Sequence, residues 1–199
     1  SYLEQMQNQN PDFTEYSNLL LSVTKLMLQA GRAEESLALV NKFRDLHPKK
    51  VEKFLAHESR MVNIDICREI MSTCREHHSV QVSQEMYDAL TNLGFVHKSH
   101  GLLSELVLAY RDKGDPDDLI KLVERTLPDF DYSSAHAIVL EFFIRKEDPD
   151  RLQKVVDLMM PRFGETFVLH RLVKIFLVCG MPKQARRIML TPALENNTA

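Results

Sequence analysis

The second half of the chain repeats itself at intervals of 33 residues. Three segments, 106–123, 139–156 and 172–189, align without gaps. Each contains an apolar stretch, a short turn and a second, amphipathic stretch. In every copy a proline stands just inside the start of the second stretch. Proline is tolerated there because the first N–H groups of a helix have no helical hydrogen-bond partner. A repeat of this length is typical of paired helices that must stack on their neighbours to bury their apolar faces.

Two more pairs of helices are predicted upstream. Residues 23–40 form a copy that turns at Gly31, and residues 62–77 with 82–93 form a weaker pair that turns near His78. The sequence therefore predicts an all-α fold, an α-solenoid of about five stacked helix-turn-helix repeats in a single domain over residues 1–199. The turns are expected near residues 31, 78, 114, 147 and 180, with an insertion near 49–58 and frayed ends at 1–11 and 191–199. Phe143 and Phe176 occupy the same place in their repeats and are predicted to lie in the core.

Charge and cysteine content limit the functional classes. The net charge of −3 counts against a domain that binds its ligand mainly through phosphate contacts, although a local basic patch matters more than the net charge. The apolar runs are too short to span a bilayer, so no membrane association is expected. The three cysteines, Cys67, Cys74 and Cys179, are predicted to be buried free thiols in a reducing compartment.

The sequence contains no recognisable enzyme motif, neither a nucleophile elbow, a phosphate-binding glycine loop nor a zinc-protease helix. Cys67 and Cys74 are seven residues apart, whereas zinc-binding pairs favour two to four intervening residues. We therefore expect a chain that is not an enzyme, with no catalytic residue, no metal site, no cofactor and no small-molecule substrate.

The first turn carries the clearest family signature. It reads Ala-Gly-Arg-Ala-Glu-Glu-Ser-Leu-Ala-Leu-Val over residues 30–40 and resembles the pentatricopeptide repeat. The hairpin is also similar to the tetratricopeptide repeat, but that family's tryptophan and its Leu-Gly-x-x-Tyr signature are missing. The resemblance to pentatricopeptide repeats covers roughly residues 16–193 and extends to the mitochondrial leucine-rich pentatricopeptide-motif proteins, which maintain messenger RNA.

The resemblance implies binding of single-stranded RNA, with one base read by two or three side chains of each repeat. Carried over to this sequence, the reading pairs are Leu21 with Val51, Ser104 with Ser134, and Ala137 with Phe167, followed by His170 in the last repeat. Ser104 keeps the polar residue type expected at its position, whereas Leu21 and Ala137 have no polar group to read a base.

Basic residues on the first helices of two pairs are candidates for phosphate contacts. They are Lys25 in the first pair and Arg171 and Lys174 in the last; the alternative is that these residues lie on a solvated helix face. The predicted RNA-binding residues are therefore Lys25, Ser104, Ser134, His170, Arg171 and Lys174.

Two functions remain open from the sequence. In the first, the chain is part of a mitochondrial RNA-binding protein that supports the stability or expression of messenger RNA. In the second, it is a docking scaffold for a protein partner, such as an RNA-binding subunit, with no direct RNA contact in this segment. The family resemblance favours the first, while the acidic balance and the apolar reading positions favour the second.

Overall fold

The computed structural model describes residues 13–46, 64–92 and 99–195. This part of the chain forms α-helices and one short 3₁₀ turn, Leu127–Asp129, and contains no strand. The all-α prediction is therefore confirmed. The predicted insertion near 49–58 and the predicted frayed start at 1–11 lie outside the described residues.

The helices are α1 (Phe13–Gln29), α2 (Ala33–Leu46), α3 (Ile64–His77), α4 (Val80–Asn92), α5 (His100–Lys113), α6 (Pro116–Thr126), α7 (Ser134–Arg145), α8 (Pro149–Phe163), α9 (Glu165–Val178), α10 (Pro182–Met189) and α11 (Pro192–Glu195).

Four pairs of consecutive helices pack as hairpins, α1 with α2, α3 with α4, α7 with α8 and α9 with α10. Short breaks separate the helices. They lie at residues 30–32, 78–79, 114–115, 146–148 and 179–181, which include the five positions where the sequence predicts a turn. Helices α6, α8 and α10 each begin with the proline of the repeat, at a position where a missing backbone N–H costs nothing. The chain divides into two compact units, Ser1–Ala109 and Tyr110–Ala199, with the boundary inside α5.

Three of the turns end their first helix in the same way. Gly31, Glu147 and Gly180 adopt left-handed backbone conformations with φ of 76°, 53° and 74°. After each of them, the next backbone N–H donates to a carbonyl five residues back, as from Arg32 to Met27. This is the Schellman arrangement, which satisfies carbonyl groups at a helix end. Glu147 adopts it without the conformational freedom of glycine, at a cost of about 1 kcal/mol.

In the first unit, α1 packs against α2 and α3, and α4 packs against α2 and α3. The core between them is apolar and includes the fully buried Leu21, Leu28 and Ile70. Two polar contacts link the hairpins: the His78 Nε2 atom lies 2.8 Å from the Leu28 carbonyl oxygen, and Lys25 Nζ lies 2.6 Å from Glu69 Oε2. The two hairpins of this unit are therefore stacked through both apolar and polar contacts.

In the second unit, α8 packs against α6, α7 and α9, and α9 packs against α7 and α10. Phe143, Val155 and Met159 are buried where these helices meet. Arg151 at the start of α8 forms two hydrogen bonds with Asp117 of α6, of 2.8 and 3.1 Å, and a third of 2.8 Å with Asp148. Arg151 therefore links α8 to α6 at the surface, while the apolar residues link the helices of this unit inside.

The end of the chain differs from the sequence prediction in two respects. Phe143 is buried as predicted, but Phe176 is half-exposed, so its predicted place in the core is wrong. Phe176 borders a cavity that is open to the surface, beside Leu152 and Met181, so its side chain stays partly accessible. Within the frayed end predicted at 191–199, Pro192–Glu195 instead forms a short helix that packs against α9, and Leu194 is buried. Residues 196–199 lie outside the described part of the chain.

The cysteines are free thiols in two different environments. Cys67 and Cys74 are fully buried in α3, and burial raises the pKa of each thiol to about 12. Cys179 is only half-buried; burial also raises the pKa of its thiol, while the nearby Arg145 opposes that shift. The prediction of buried thiols is confirmed for Cys67 and Cys74 and only partly met by Cys179.

Replacing Phe143 with alanine is expected to lower the free energy of unfolding by about 3–5 kcal/mol, because the side chain is buried and its removal leaves a cavity. Phe176→Ala is the matched control, since it removes the same side chain from a half-exposed position and is expected to cost less. Urea denaturation followed by circular dichroism measures both. Equal losses of stability would contradict the burial described here.

Alkylation of the folded chain with iodoacetamide near pH 8 is expected to modify Cys179 well before Cys67 or Cys74. The reacting species is the thiolate, which burial suppresses most strongly in α3. Mass spectrometry of the digested protein gives the rate at each site, and a sample alkylated in urea serves as the control in which the rates should converge. Similar rates at all three cysteines in the folded protein would show that the thiols of Cys67 and Cys74 are not buried.

Candidate nucleic-acid interface

Helices α7 and α9 line a groove in the second unit. They are the first helices of consecutive hairpins, and they pack side by side. The cavity between them has a volume of about 370 Å³ and is open to the surface. We call it the α7–α9 groove; its lining residues are Tyr132, Ser133, Ser134, Ala137, Glu141, Arg171, Lys174, Ile175 and Val178.

A local hydrogen bond fixes the start of α7 at the mouth of the groove. Ser133 is the N-cap residue, and its backbone N–H donates to Nδ1 of the buried His136 at 3.1 Å. In a capping box, the side chain three residues after the N-cap accepts a hydrogen bond from the N-cap backbone N–H; here histidine takes the place usually occupied by glutamate. The helix that follows presents Ser134, Ala137 and Glu141 on one face, because residues three and four positions apart share a side of a helix.

Arg171 of α9 is held by aromatic rings. Its guanidinium carbon lies 5.0 Å from the centre of the Tyr132 ring and 4.8 Å from that of Phe167. The two rings meet edge to face, with 5.3 Å between their centres. Burial raises the pKa of the Tyr132 hydroxyl, and Arg171 opposes that rise. Since aromatic faces attract a cation without carrying a net charge, they position Arg171 and leave its positive charge uncancelled.

The groove carries charges of both signs. Lys174 is exposed one helical turn after Arg171, so α9 contributes two cations. On α7, Glu141 lies about 10 Å farther along the helix than Ser134, given the rise of an α-helix. Its carboxylate accepts a hydrogen bond of 2.7 Å from Arg145 Nε and raises the pKa of Cys179 at the end of α9. The lining therefore combines two cations of α9 with one carboxylate of α7, which is itself paired with Arg145.

The groove contains three of the six predicted RNA-binding residues: Ser134, Arg171 and Lys174. His170 is exposed on α9 but does not line the groove. The other two predicted residues lie in the first unit. There Lys25 is paired with Glu69, and the Ser104 hydroxyl donates to the His100 carbonyl oxygen at 2.9 Å. Their side chains are thus engaged within their own unit.

The remaining base-reading positions implied by the resemblance are mostly apolar and covered. Leu21 is fully buried, Ala137 and Phe167 are half-buried, and Val51 lies outside the described residues. Phe167 packs on Arg171 instead of facing an open groove. Direct reading of a base by the family's pairs therefore has no support at these positions.

Five lining residues were not identified from the sequence: Tyr132, Ser133, Glu141, Ile175 and Val178. The spacing of Phe163, Phe167 and Arg171, four residues apart each time, indicates an aromatic stripe that ends in a cation on one face of a helix. No comparable signal points to Tyr132, which precedes α7 in an irregular segment and reaches Arg171 only through the fold.

A second cavity of about 350 Å³ lies between the turns of the last two hairpins of the same unit. It is mainly apolar and includes Phe143, Phe176 and Met181 in its lining. Across the residues that the structure describes, no group of three or more His, Cys, Asp or Glu side chains is arranged to hold a metal ion. Among the described helices, none has the length and the apolar character needed to cross a membrane.

The chain was also compared with known proteins. No protein-family model, no curated protein sequence and no solved structure matches it. Its functional interpretation therefore depends on its own residues and on the geometry of the α7–α9 groove.

Proposed function

We propose that this chain is a helical-repeat module that binds single-stranded RNA in the α7–α9 groove. The observation that carries the proposal is that Ser134, Arg171 and Lys174 line one groove between the first helices of consecutive hairpins. A basic groove with aromatic side chains is the usual means of holding a single strand, because cations meet the phosphates and the walls meet the bases. In this proposal the chain acts by binding and catalyses no reaction.

Each part of the groove has a role in the proposed complex. Arg171 and Lys174 contact phosphate oxygens, and the guanidinium is held in place beforehand by Tyr132 and Phe167. The exposed Ser134 supplies a hydroxyl for the sugar or a phosphate. Ala137 and Val178 also line the groove and give an apolar surface on which a base can lie.

The proposal extends to the repeats and to the cellular role. We regard the consecutive hairpins as degenerate pentatricopeptide-like repeats of an α-solenoid, supported by the common period and by the shared turn geometry of Gly31, Glu147 and Gly180. By the same resemblance, the RNA is a mitochondrial messenger RNA whose stability or expression the protein supports. Crosslinking of RNA to the tagged full-length protein in cells, followed by sequencing, tests both its location and its target.

A second function has its own supporting observation. Leu177 and Val178 at the end of α9 are 54% and 63% exposed, and Met189 and Leu190 at the end of α10 are exposed to a similar extent. Exposed large apolar side chains at both ends of this hairpin are a feature that contacts between proteins use. A protein partner that docks on the last hairpin is therefore the alternative to direct RNA binding.

Lys174→Ala is expected to weaken binding of labelled single-stranded RNA and to reduce the slope of log affinity against log salt by about one, because one phosphate contact is lost. Fluorescence anisotropy titrations at several salt concentrations measure both quantities. Lys183→Ala is the matched control, since it removes an exposed lysine of α10 that does not line the groove.

The outcomes separate the two proposed functions. Loss of affinity in Lys174→Ala but not in Lys183→Ala supports RNA binding in the α7–α9 groove. Equal behaviour of both variants would remove the groove as the RNA site. Absence of saturable binding by the parent chain at tens of micromolar would overturn the RNA proposal and leave the protein partner.

A further inference from the structure

The turns of the last two hairpins leave between them a cavity of about 350 Å³ that is open to the surface. We call it the turn cavity. Its apolar lining includes Leu152, Phe176 and Met181, which are all only half-buried, so apolar surface inside the cavity is accessible to solvent. The turn cavity has no lining residue in common with the α7–α9 groove, and the two sites are therefore formed by different side chains.

Met181 departs from the pattern of the repeat at the turn cavity. The residue before the repeat's proline is the N-cap of the second helix. In the two earlier copies this residue is an aspartate, Asp115 or Asp148, whose side chain accepts a hydrogen bond from a backbone N–H of its helix. Met181 is the N-cap of α10 and makes no such hydrogen bond. Because apolar residues are poor N-caps, this copy has an apolar cavity wall in place of a helix cap.

Glu147 is a second departure from local rules at the same cavity. It has the left-handed backbone conformation that Gly31 and Gly180 have in two other turns, although a side chain is strained there. Strained residues of this kind occur preferentially at binding sites. Glu147 is exposed and lines the turn cavity. Its side chain thus places a carboxylate where glycine would be the unstrained choice.

The charged part of the lining is acidic. Glu147 and Asp148 line the turn cavity, and among the described residues no lysine or arginine does. Asp148 is paired with Arg151 at 2.8 Å. Lys146, the neighbour of Glu147 in the sequence, lies over the Phe142 ring, 5.9 Å from its centre. The cavity therefore suits an apolar group with a positive charge beside it.

We infer that the turn cavity binds a protein partner through one large apolar side chain that stands next to a lysine or an arginine. The apolar side chain packs against Phe176 and Met181, and the cation pairs with Glu147. A small-molecule pocket encloses most of its ligand, whereas an open cavity of this size covers one side chain and leaves its carrier in solvent. A protein supplies the remaining contacts from its own surface. This docking site goes beyond RNA binding in the α7–α9 groove and does not depend on it.

Selection of a random heptapeptide phage library on the immobilised full chain tests the inference. The expected consensus is a leucine, methionine, phenylalanine or tryptophan next to a lysine or an arginine. One selected peptide is then synthesised with a fluorescent label and titrated by anisotropy. Met181→Ser is expected to weaken its binding at least about fivefold, because an apolar wall is lost. Serine is a preferred N-cap residue, so this variant is expected to fold.

Met189→Ser is the matched control, because it removes a 56% exposed methionine of α10 that does not line the turn cavity. It is expected to bind the peptide as the parent does. Glu147→Gly tests the cation: glycine suits the left-handed turn, so this variant is expected to melt at or above the parent temperature. Its binding of the peptide is nevertheless expected to be about two- to fivefold weaker, since an ion pair is lost.

The contrary outcomes are distinct. A library that yields no enriched peptide, or peptides without the apolar and basic pair, would overturn the inference. Equal binding by Met181→Ser and Met189→Ser would do the same. A loss of peptide binding in Lys174→Ala would place the peptide in the α7–α9 groove and remove the turn cavity as its site. Unchanged binding by Glu147→Gly would refute the role of its carboxylate.

Discussion

The apolar face of each helical hairpin is larger than the hairpin itself can cover, and the rest of this structure depends on that constraint. In the second unit, α8 satisfies it by packing against α6, α7 and α9 at once, with Phe143, Val155 and Met159 buried where they meet. In this unit α7 and α9, the first helices of two successive hairpins, lie side by side, and α8 packs against both. The α7–α9 groove is the surface left between two such helices, so core packing and the candidate site have the same origin.

Much of the fold could be predicted because its signals are local. Prolines at helix starts and left-handed residues at helix ends act within a few positions of the chain, and they mark Gly31, Pro116, Pro149 and Pro182 in the sequence as they do in the structure. Whether a side chain is buried depends on helices that are more distant in the sequence. Phe143 and Phe176 occupy equivalent places in the repeat, but the second stays partly accessible at the edge of an open cavity, which the period does not reveal.

The candidate site was predictable only in part, for the same reason. Arg171 and Lys174 share a helix face with a regular period, which sequence patterns can show. Lys25 has the same appearance in the sequence, but it pairs with Glu69, which is distant in the chain and contacts it only after folding. Tyr132 likewise acts on Arg171 through space. The net charge of the chain does not predict the candidate site either, because aromatic rings position Arg171 without neutralising its charge.

The α7–α9 groove takes its walls from two hairpins, and this has a consequence for how a bound ligand acts on the molecule. Local opening that moves α9 away from α7 and α8 would divide the groove, because α9 carries Arg171 and Lys174 while α7 carries Ser134. A ligand that bridges α7 and α9 would therefore slow amide exchange in the last hairpin, since it binds the closed arrangement and not the open one. Occupancy of the groove and protection of the last hairpin from amide exchange would therefore report the same equilibrium between the closed and the open arrangement.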